Sequence, residues 1–257
     1  MSDKKICFIS DAHFGVPVPG YDNREERFIQ LCSCEAENWS ELYIVGDLFD
    51  FWVEYRWAIR PDYFNILHQL KLLVDRGIAV HYLAGNHDFA LGSFLEKTIG
   101  ISVYPGAVEK VIQGRRVYAF HGDGLLKKDF GYRILKLLLR NPVNQLIYKM
   151  MHPNIGVPFG SFISGSSRKY LNRPEGSEFL EEYRVHAQRQ LKNGSDLVIY
   201  GHIHYPDLVR YGDLGIYCNT GAWLKYYSYA TMENGEITLL QFQEDGSSAA
   251  VPSIDIK

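Results

Sequence analysis

The chain has 257 residues, of which 46% are hydrophobic and 22% charged, and its formal net charge is -3. These are the values of an ordinary soluble globular protein with one large domain, or one domain carrying an insertion. They exclude a global basic field of the kind that holds nucleic acid, and no apolar run nears the roughly 20 residues a membrane span needs.

The first expected strand is Lys5 to Ser10, entered directly from the N-terminus with no signal-peptide core. A helix is expected over Arg24 to Glu37 and a second strand over Glu41 to Asp47. Pro61 suits the first position of a helix reaching about Arg76, with Phe64, Leu67, Leu70, Leu73 and Val74 at helical spacing and Gly77 as its cap. A strand follows at Ile78 to Ala84, then a short helix at Phe94 to Gly100. Strands at Ala107 to Ile112 and Arg115 to Phe120 flank a Gln113-Gly114 turn. Five more are expected at Asp196 to Tyr200, Asp207 to Tyr211, Gly215 to Asn219, Tyr226 to Met232 and Glu236 to Phe242, the last two joined by Asn234-Gly235. The polar tail after Glu244 is expected to fray.

Strands alternating with helices, then a run of strands, point to an α/β sandwich rather than a pure doubly wound sheet. The whole chain, 1–257, is expected to be one domain, with a helical insertion over about 125–175 that breaks the strand rhythm. Residues 129–152 of it suggest two helices split at Asn141-Pro142. The stretch carries Lys127, Lys128, Arg133, Lys136, Arg140 and Lys149 against Asp129, amid Leu, Ile, Tyr, Phe and Met. It reads as a cap with apolar and basic faces. Cys7, Cys32, Cys34 and Cys218 form no CxxC pair and are expected to be reduced thiols in a cytosolic protein.

Five short stretches hold the chemistry: SDAH at 10–13, GDLFD at 46–50, GNHD at 85–88, HGDG at 121–124 and GHIH at 201–204. Each lies where a strand gives way to a loop, and in α/β folds those strand ends gather at one ligand-binding rim. A lone histidine in such a place is usually a satisfied core residue; D-x-H and H-x-H strand ends together argue for ligands. On an extended chain, Asp11 and His13 would share one side, as would His202 and His204. Asp47 offers a carboxylate able to bridge two ions with its two oxygens, and Asn86 a neutral carbonyl. Mixed nitrogen and oxygen donors suit Mn²⁺, Fe²⁺, Zn²⁺ or Co²⁺, and seven candidates suit two ions better than one.

D-x-H, GDxxD, GNHD, a lone His and GHxH, in this order from Ser10 to about Trp223, resemble the calcineurin-like metallophosphoesterase superfamily. The resemblance implies a four-layer αββα sandwich of two mixed sheets. It implies one divalent ion, manganese by expectation, on Asp11, His13, Asp47 and His204, and a second on Asp47, Asn86, His121 and His202. It assigns His87 to the scissile phosphate, as general acid or stabiliser of transition-state charge. The carboxylate of Asp50 would be its orienting partner, with the adjacent Asp88 as the competing choice.

GDLFDFW followed by Tyr55 and Arg56, GNHDF, the helical insertion and NTGAW at 219–223 look like the UDP-2,3-diacylglucosamine hydrolases of lipid A synthesis. Those enzymes cleave a pyrophosphate to UMP and 2,3-diacylglucosamine 1-phosphate under a helical cap that holds the acyl chains. The best-known branch has arginine at the position of His87. The resemblance implies an acylated UDP-sugar substrate and a peripheral place on the anionic cytoplasmic membrane face. Arg168 and Lys169 are the phosphate-binding candidates, with Ser166 and Arg173 behind them. The rival reading is a soluble metallophosphoesterase for nucleotides or phosphoproteins.

Overall fold

The structure is a computed structural model that describes residues 4–88, 90–126, 141–171 and 177–256. Its strands, in chain order, are β1 (Lys5–Ile9), β2 (Trp39–Val45), β3 (Ala79–Leu83), β4 (Ser102–Tyr104), β5 (Val108–Ile112), β6 (Arg115–Ala119), β7 (Leu197–Tyr200), β8 (Pro206–Arg210), β9 (Ile216–Thr220), β10 (Ser228–Glu233), β11 (Glu236–Phe242), β12 (Ser248–Ala250) and β13 (Ile254–Asp255). They form two mixed sheets, ordered β12-β11-β10-β1-β2-β3-β4 and β13-β8-β9-β7-β6-β5.

Period-two side-chain alternation assigns each strand residue to a layer. In β1, Cys7 and Ile9 join the core under helices α1 (Arg24–Glu35) and α2 (Phe64–Asp75), while Ile6 and Phe8 face the second sheet. In β2, Leu42 and Ile44 point to the helices, and Tyr43 and Val45 between the sheets. The far side of the second sheet is covered by α5 (Ser177–Lys192), whose Tyr183, Ala187 and Leu191 pack with Val198, Tyr200 and Tyr217. The layers are therefore helix, sheet, sheet, helix, as the sequence motifs implied.

Both expected hairpin turns have left-handed backbone at two successive residues: Gln113 (φ 45°) with Gly114 (φ 81°), and Asn234 (φ 52°) with Gly235 (φ 78°). That is the backbone a two-residue hairpin with the right twist requires. Leu95–Ile99 is a single π-helical turn. Two expectations need correction. The C-terminal tail does not fray: β12 pairs antiparallel with β11 and β13 parallel with β8, so main-chain bonds at the sheet edges hold it. The short strand β4 extends the first sheet beside β3, and the helix α5 was not expected; Phe179, Tyr183, Ala187 and Leu191 mark its buried face at four-residue steps.

Of the insertion, the structure describes α3 (Pro142–Met150) and α4 (Pro153–Leu171). The Asn141 side chain caps α3 by accepting from the Val143 and Asn144 amides, with Pro142 just inside the start. The first expected cap helix and the basic residues from Lys127 to Arg140 lie outside the described residues. Among the described residues, no helix is long and apolar enough to cross a membrane.

Candidate metal centre

The five motif loops follow β1, β2, β3, β6 and β7 and meet at one rim. Main-chain bonds lock them together. The amides of Ala12 and His13 both donate to the Asp47 carbonyl, at 3.0 and 3.1 Å, and that of Asp11 to Gly46 at 3.2 Å. The NTGAW segment closes over the same loop, with the Trp223 and Leu224 amides donating to the carbonyls of Ser10 and Asp11. At Gly85 a Cβ would collide with the Asp47 carboxylate, so the GNHD loop needs a glycine there.

The backbone at the candidate ligands is left-handed, not extended. Asp11 (φ 52°), His13 (φ 48°), Asp47 (φ 52°), His202 (φ 73°) and His204 (φ 57°) are five of the eight non-glycine residues with positive φ among those described. The expectation that an extended D-x-H or H-x-H puts both side chains on one side is therefore corrected. The pairs converge because tight turns fold each one inward. Such backbone is costly for residues with a Cβ and persists only where the surroundings enforce it.

Asp11, His13 and His204 each bring a ligand atom within 4.8 Å of the others; so do Asp47, His121 and His202, and also His13, Asp47 and His87. Asp11 splits its oxygens. Oδ2 accepts from the Ser10 hydroxyl and, at 2.9 Å, from the His202 amide; Oδ1 faces His204 Nε2 at 3.3 Å. Asp47 does likewise. Its Oδ1 accepts from the His87 amide at 2.9 Å, and its Oδ2 stands 3.3 Å from His121 Nε2 and 3.9 Å from both His13 Nε2 and His87 Nε2. The carboxylate thus offers the cluster one shared oxygen, a correction to the two-oxygen bridge expected from sequence.

His121 supplies a tautomer argument. Its Nδ1 lies 2.8 Å from the Val45 carbonyl, which only accepts, so Nδ1 carries a hydrogen and Nε2 is the nitrogen left to bind either a proton or an ion. That nitrogen faces Asn86 Oδ1 at 3.0 Å, His202 Nδ1 at 3.2 Å and Asp47 Oδ2 at 3.3 Å. On the other side, His13 Nε2 and His204 Nε2 are 3.2 Å apart. Asp11 Oδ1 and Asp47 Oδ2 are buried and accept no hydrogen bond among the described residues. Acceptors crowded at this range repel one another unless protons or metal ions lie among them. The residues fit divalent ions, and the donor set contains no thiolate.

The electrostatics agree. Burial opposes charge on Asp47, but His121, His87 and His13 hold its carboxyl well below the usual carboxylate range. Burial also opposes charge on His121, yet Asp47, helped by Asp11 and Asp123, pushes its pKa up to about 10. Burial and the neighbouring His121 push His202 down to about 4. The cluster is a field that draws positive charge to its centre.

Asp50 differs from its expected role. His87 Nδ1 donates to the main-chain oxygen of Asp50 at 3.0 Å, while the Asp50 carboxylate stands 3.7 Å from His13 Nδ1. Asp88 is no partner of the imidazole in this arrangement. Its Oδ1 accepts from the amides of Asp47 and Gly85, and its Oδ2 from the Phe49 amide and the Tyr82 hydroxyl. Asn219 shapes a loop: its amide donates to Gly201 O at 2.8 Å and its carbonyl accepts from Gly221 N at 3.0 Å. Trp52 is core, whereas Trp57 is 86% exposed.

Sequence reasoning missed Ser10 and Tyr183. The Tyr183 hydroxyl donates to Gly122 O at 2.6 Å and so holds the loop of His121. Ser166, Arg168 and Lys169 fall on α4, but their side chains lie outside the described residues, as does the whole of Arg173.

A buried carboxylate oxygen shared by histidines from two sheets, at the rim of this sandwich, defines a metal-dependent phosphoester hydrolase. The chain belongs to the calcineurin-like phosphoesterase family, whose model matches residues 4–206. Its similarity to curated proteins runs nearly end to end. It is 29% identical to a UDP-2,3-diacylglucosamine hydrolase of Porphyromonas gingivalis over 94% of this chain and 98% of that one. It is 26% identical to a protein of the same name from Blochmanniella pennsylvanica, over 92% and 96% of the two chains. With that of Photorhabdus laumondii it shares 29% over 91% and 98%.

Proposed function

We propose that this chain hydrolyses the pyrophosphate of UDP-2,3-diacylglucosamine, releasing UMP and the acylated sugar 1-phosphate on the cytoplasmic face of the membrane. Asp11, His13, Asp47 and His204 would hold one ion, and Asp47, Asn86, His121 and His202 the other. Divalent ions bound there supply Lewis-acid charge next to phosphorus and a water-derived nucleophile at neutral pH. Manganese suits the donors, as do iron and zinc.

The chain's own residues do the rest. The Asp50 carbonyl takes the Nδ1 hydrogen of His87, which aims Nε2 at the cluster, where a proton on it can meet the phosphoryl or leaving-group oxygen. The left-handed loops hold the acceptors in place before substrate arrives, so that little reorganisation is needed in the transition state.

One observation carries the lipid reading. Helix α4 buries Gly156 and Gly160 while exposing Ile155, Phe159 and Phe162, and α3 exposes Val143, Leu146, Ile147 and Met150. A helix pair with small residues inward and large apolar residues outward, beside a phosphoesterase centre, suits acyl chains and a membrane surface. The relatives matched over more than 90% of the chain carry the same substrate in their names.

The test is a metal-reconstituted assay on the diacylated UDP-sugar in detergent, beside a cyclic nucleotide and a phosphopeptide. Release of UMP from the lipid substrate supports the proposal. Efficient turnover of the soluble esters with none of the lipid would replace it by the nucleotide or phosphoprotein reading.

A further inference from the structure

The residues on either side of Phe51 both bond to His87. Asp50 accepts from its imidazole Nδ1 at 3.0 Å, and the Trp52 amide donates to its carbonyl at 3.3 Å. The carbonyl of Phe51 itself accepts from the Tyr63 hydroxyl. The backbone around Phe51 is therefore tied to His87 on both sides, and its ring extends toward the cap.

There the ring meets α4 at Gly160, where an added Cβ would collide with the ring edge, Cε1 and Cζ. Tyr148 of α3 stands edge-on to the same ring, centroids 5.7 Å apart. One helical turn earlier, Gly156 gives the same clearance to the Tyr55 hydroxyl. A second tether runs through Arg60, which donates to Gly15 O at 2.9 Å and to the Ser161 hydroxyl at 3.5 Å. Gly15 lies two residues after His13. One tether runs from α4 to the segment hydrogen-bonded to His87, the other to the segment that carries His13.

We infer that Phe51 is a positioning residue that couples the cap to the imidazole of His87 through the close seat at Gly160. The inference rests on the reading that His87 acts at the phosphoester. A cap that shifts on filling moves the ring, and the ring moves the carbonyl that aims the imidazole. The cap then governs turnover as well as substrate binding, even for a substrate too small to touch it.

The experiment compares Phe51→Leu, Phe51→Ala, Gly160→Ala, the Phe51→Ala/Gly160→Ala double variant and His87→Ala in Mn²⁺-loaded enzyme. The substrate is the small chromogenic diester bis(4-nitrophenyl) phosphate, read as kcat and KM across pH with metal content alongside. Displacing a reacting group by about 1 Å costs on the order of a hundredfold, so kcat should fall ten- to a hundredfold in the Phe51 and Gly160 single variants. KM and metal content should stay unchanged. Phe51→Ala removes the ring from the space the new methyl needs and leaves only the Tyr148 hydroxyl, 2.7 Å from that methyl, to give way, so the two substitutions should combine less than additively. Phe51→Leu adds no volume and serves if Gly160→Ala fails to fold. Wild-type kcat in Phe51→Leu and Gly160→Ala, with slow His87→Ala, overturns the coupling alone; so does metal loss in parallel with activity. A His87→Ala enzyme at wild-type rate removes the premise instead.

Discussion

The imidazole of His87 is oriented by the main-chain oxygen of Asp50, 3.0 Å from Nδ1, whereas the carboxylate of that aspartate stands 3.7 Å from His13 Nδ1. The two groups of one residue therefore serve two different histidines. A side-chain substitution at 50 should leave the orientation of His87 intact and disturb the ion proposed at His13. Asp50→Asn should weaken metal binding, measured by titration of the metal-free protein, while the pH dependence of kcat at saturating metal keeps its shape. A changed acid limb at full metal occupancy would show that the carboxylate acts on His87 after all.

His87→Ala addresses the imidazole directly. Removal of a general acid costs about 10²- to 10⁴-fold in rate. The variant should lose turnover to that extent and keep its bound metal, since the Asp47 oxygen it faces stays flanked by His13 and His121. Parallel loss of metal and activity would make His87 a ligand.

Asp47→Asn changes the one residue common to both proposed ion sites. Its Oδ2 is the atom on which three histidines converge. Metal analysis of the purified variant should find both ions lost together. Retention of one ion would mean that the sites do not share this oxygen.

Asp88→Asn tests the frame under the ligands. The carboxylate accepts from three amides and a tyrosine hydroxyl, and burial followed by the charge of Asp47 raises its pKa to about 6. An amide nitrogen in place of one oxygen would face donors. The expected loss is about 1–3 kcal/mol of stability, read as a Tm lower by several degrees. An unchanged Tm would mean that the loop does not depend on these bonds.

His81 gives a pH prediction away from the centre. Burial, with Lys110 second, lowers its pKa from the ordinary 6.5, although Glu41 at 3.0 Å pulls the other way. The unfolded chain then binds a proton that the folded chain resists, so stability is full above the ordinary value and falls as pH drops below it. His81→Gln should flatten the pH dependence of the urea midpoint over about pH 5–7. An equally steep dependence in the variant would exclude His81 as its source.

The site was legible because its residue types are conspicuous where they stand. Asp11, His13, Asp47, Asn86, His121, His202 and His204 come together at one rim, and nothing in ordinary strand termination asks for so many imidazoles. What escaped was geometry that residue type does not encode. Left-handed backbone at Asp11 is held by main-chain bonds to Gly46 and Leu224, and at His202 by the bond of its amide to the Asp11 carboxylate. The use of the Asp50 carbonyl is invisible in a sequence, because every residue has one. The tail strands β12 and β13 are too short to show an alternating pattern, and only the sheet edges they meet make them strands. In α4 the usual amphipathic code is inverted, with glycines inward, so its packing against Phe51 could not be read from hydrophobicity.

The ligand loops come from both halves of the sandwich. Asp11, His13, Asp47 and Asn86 follow strands of the first sheet, and His121, His202 and His204 follow strands of the second. A cation gripped by both sets is a clasp across the two layers, closing the rim that the interlayer core leaves to polar loops. The same ions that serve the chemistry would then hold the sheets in register at that end, and their concentration would set how much work it takes to pry them apart.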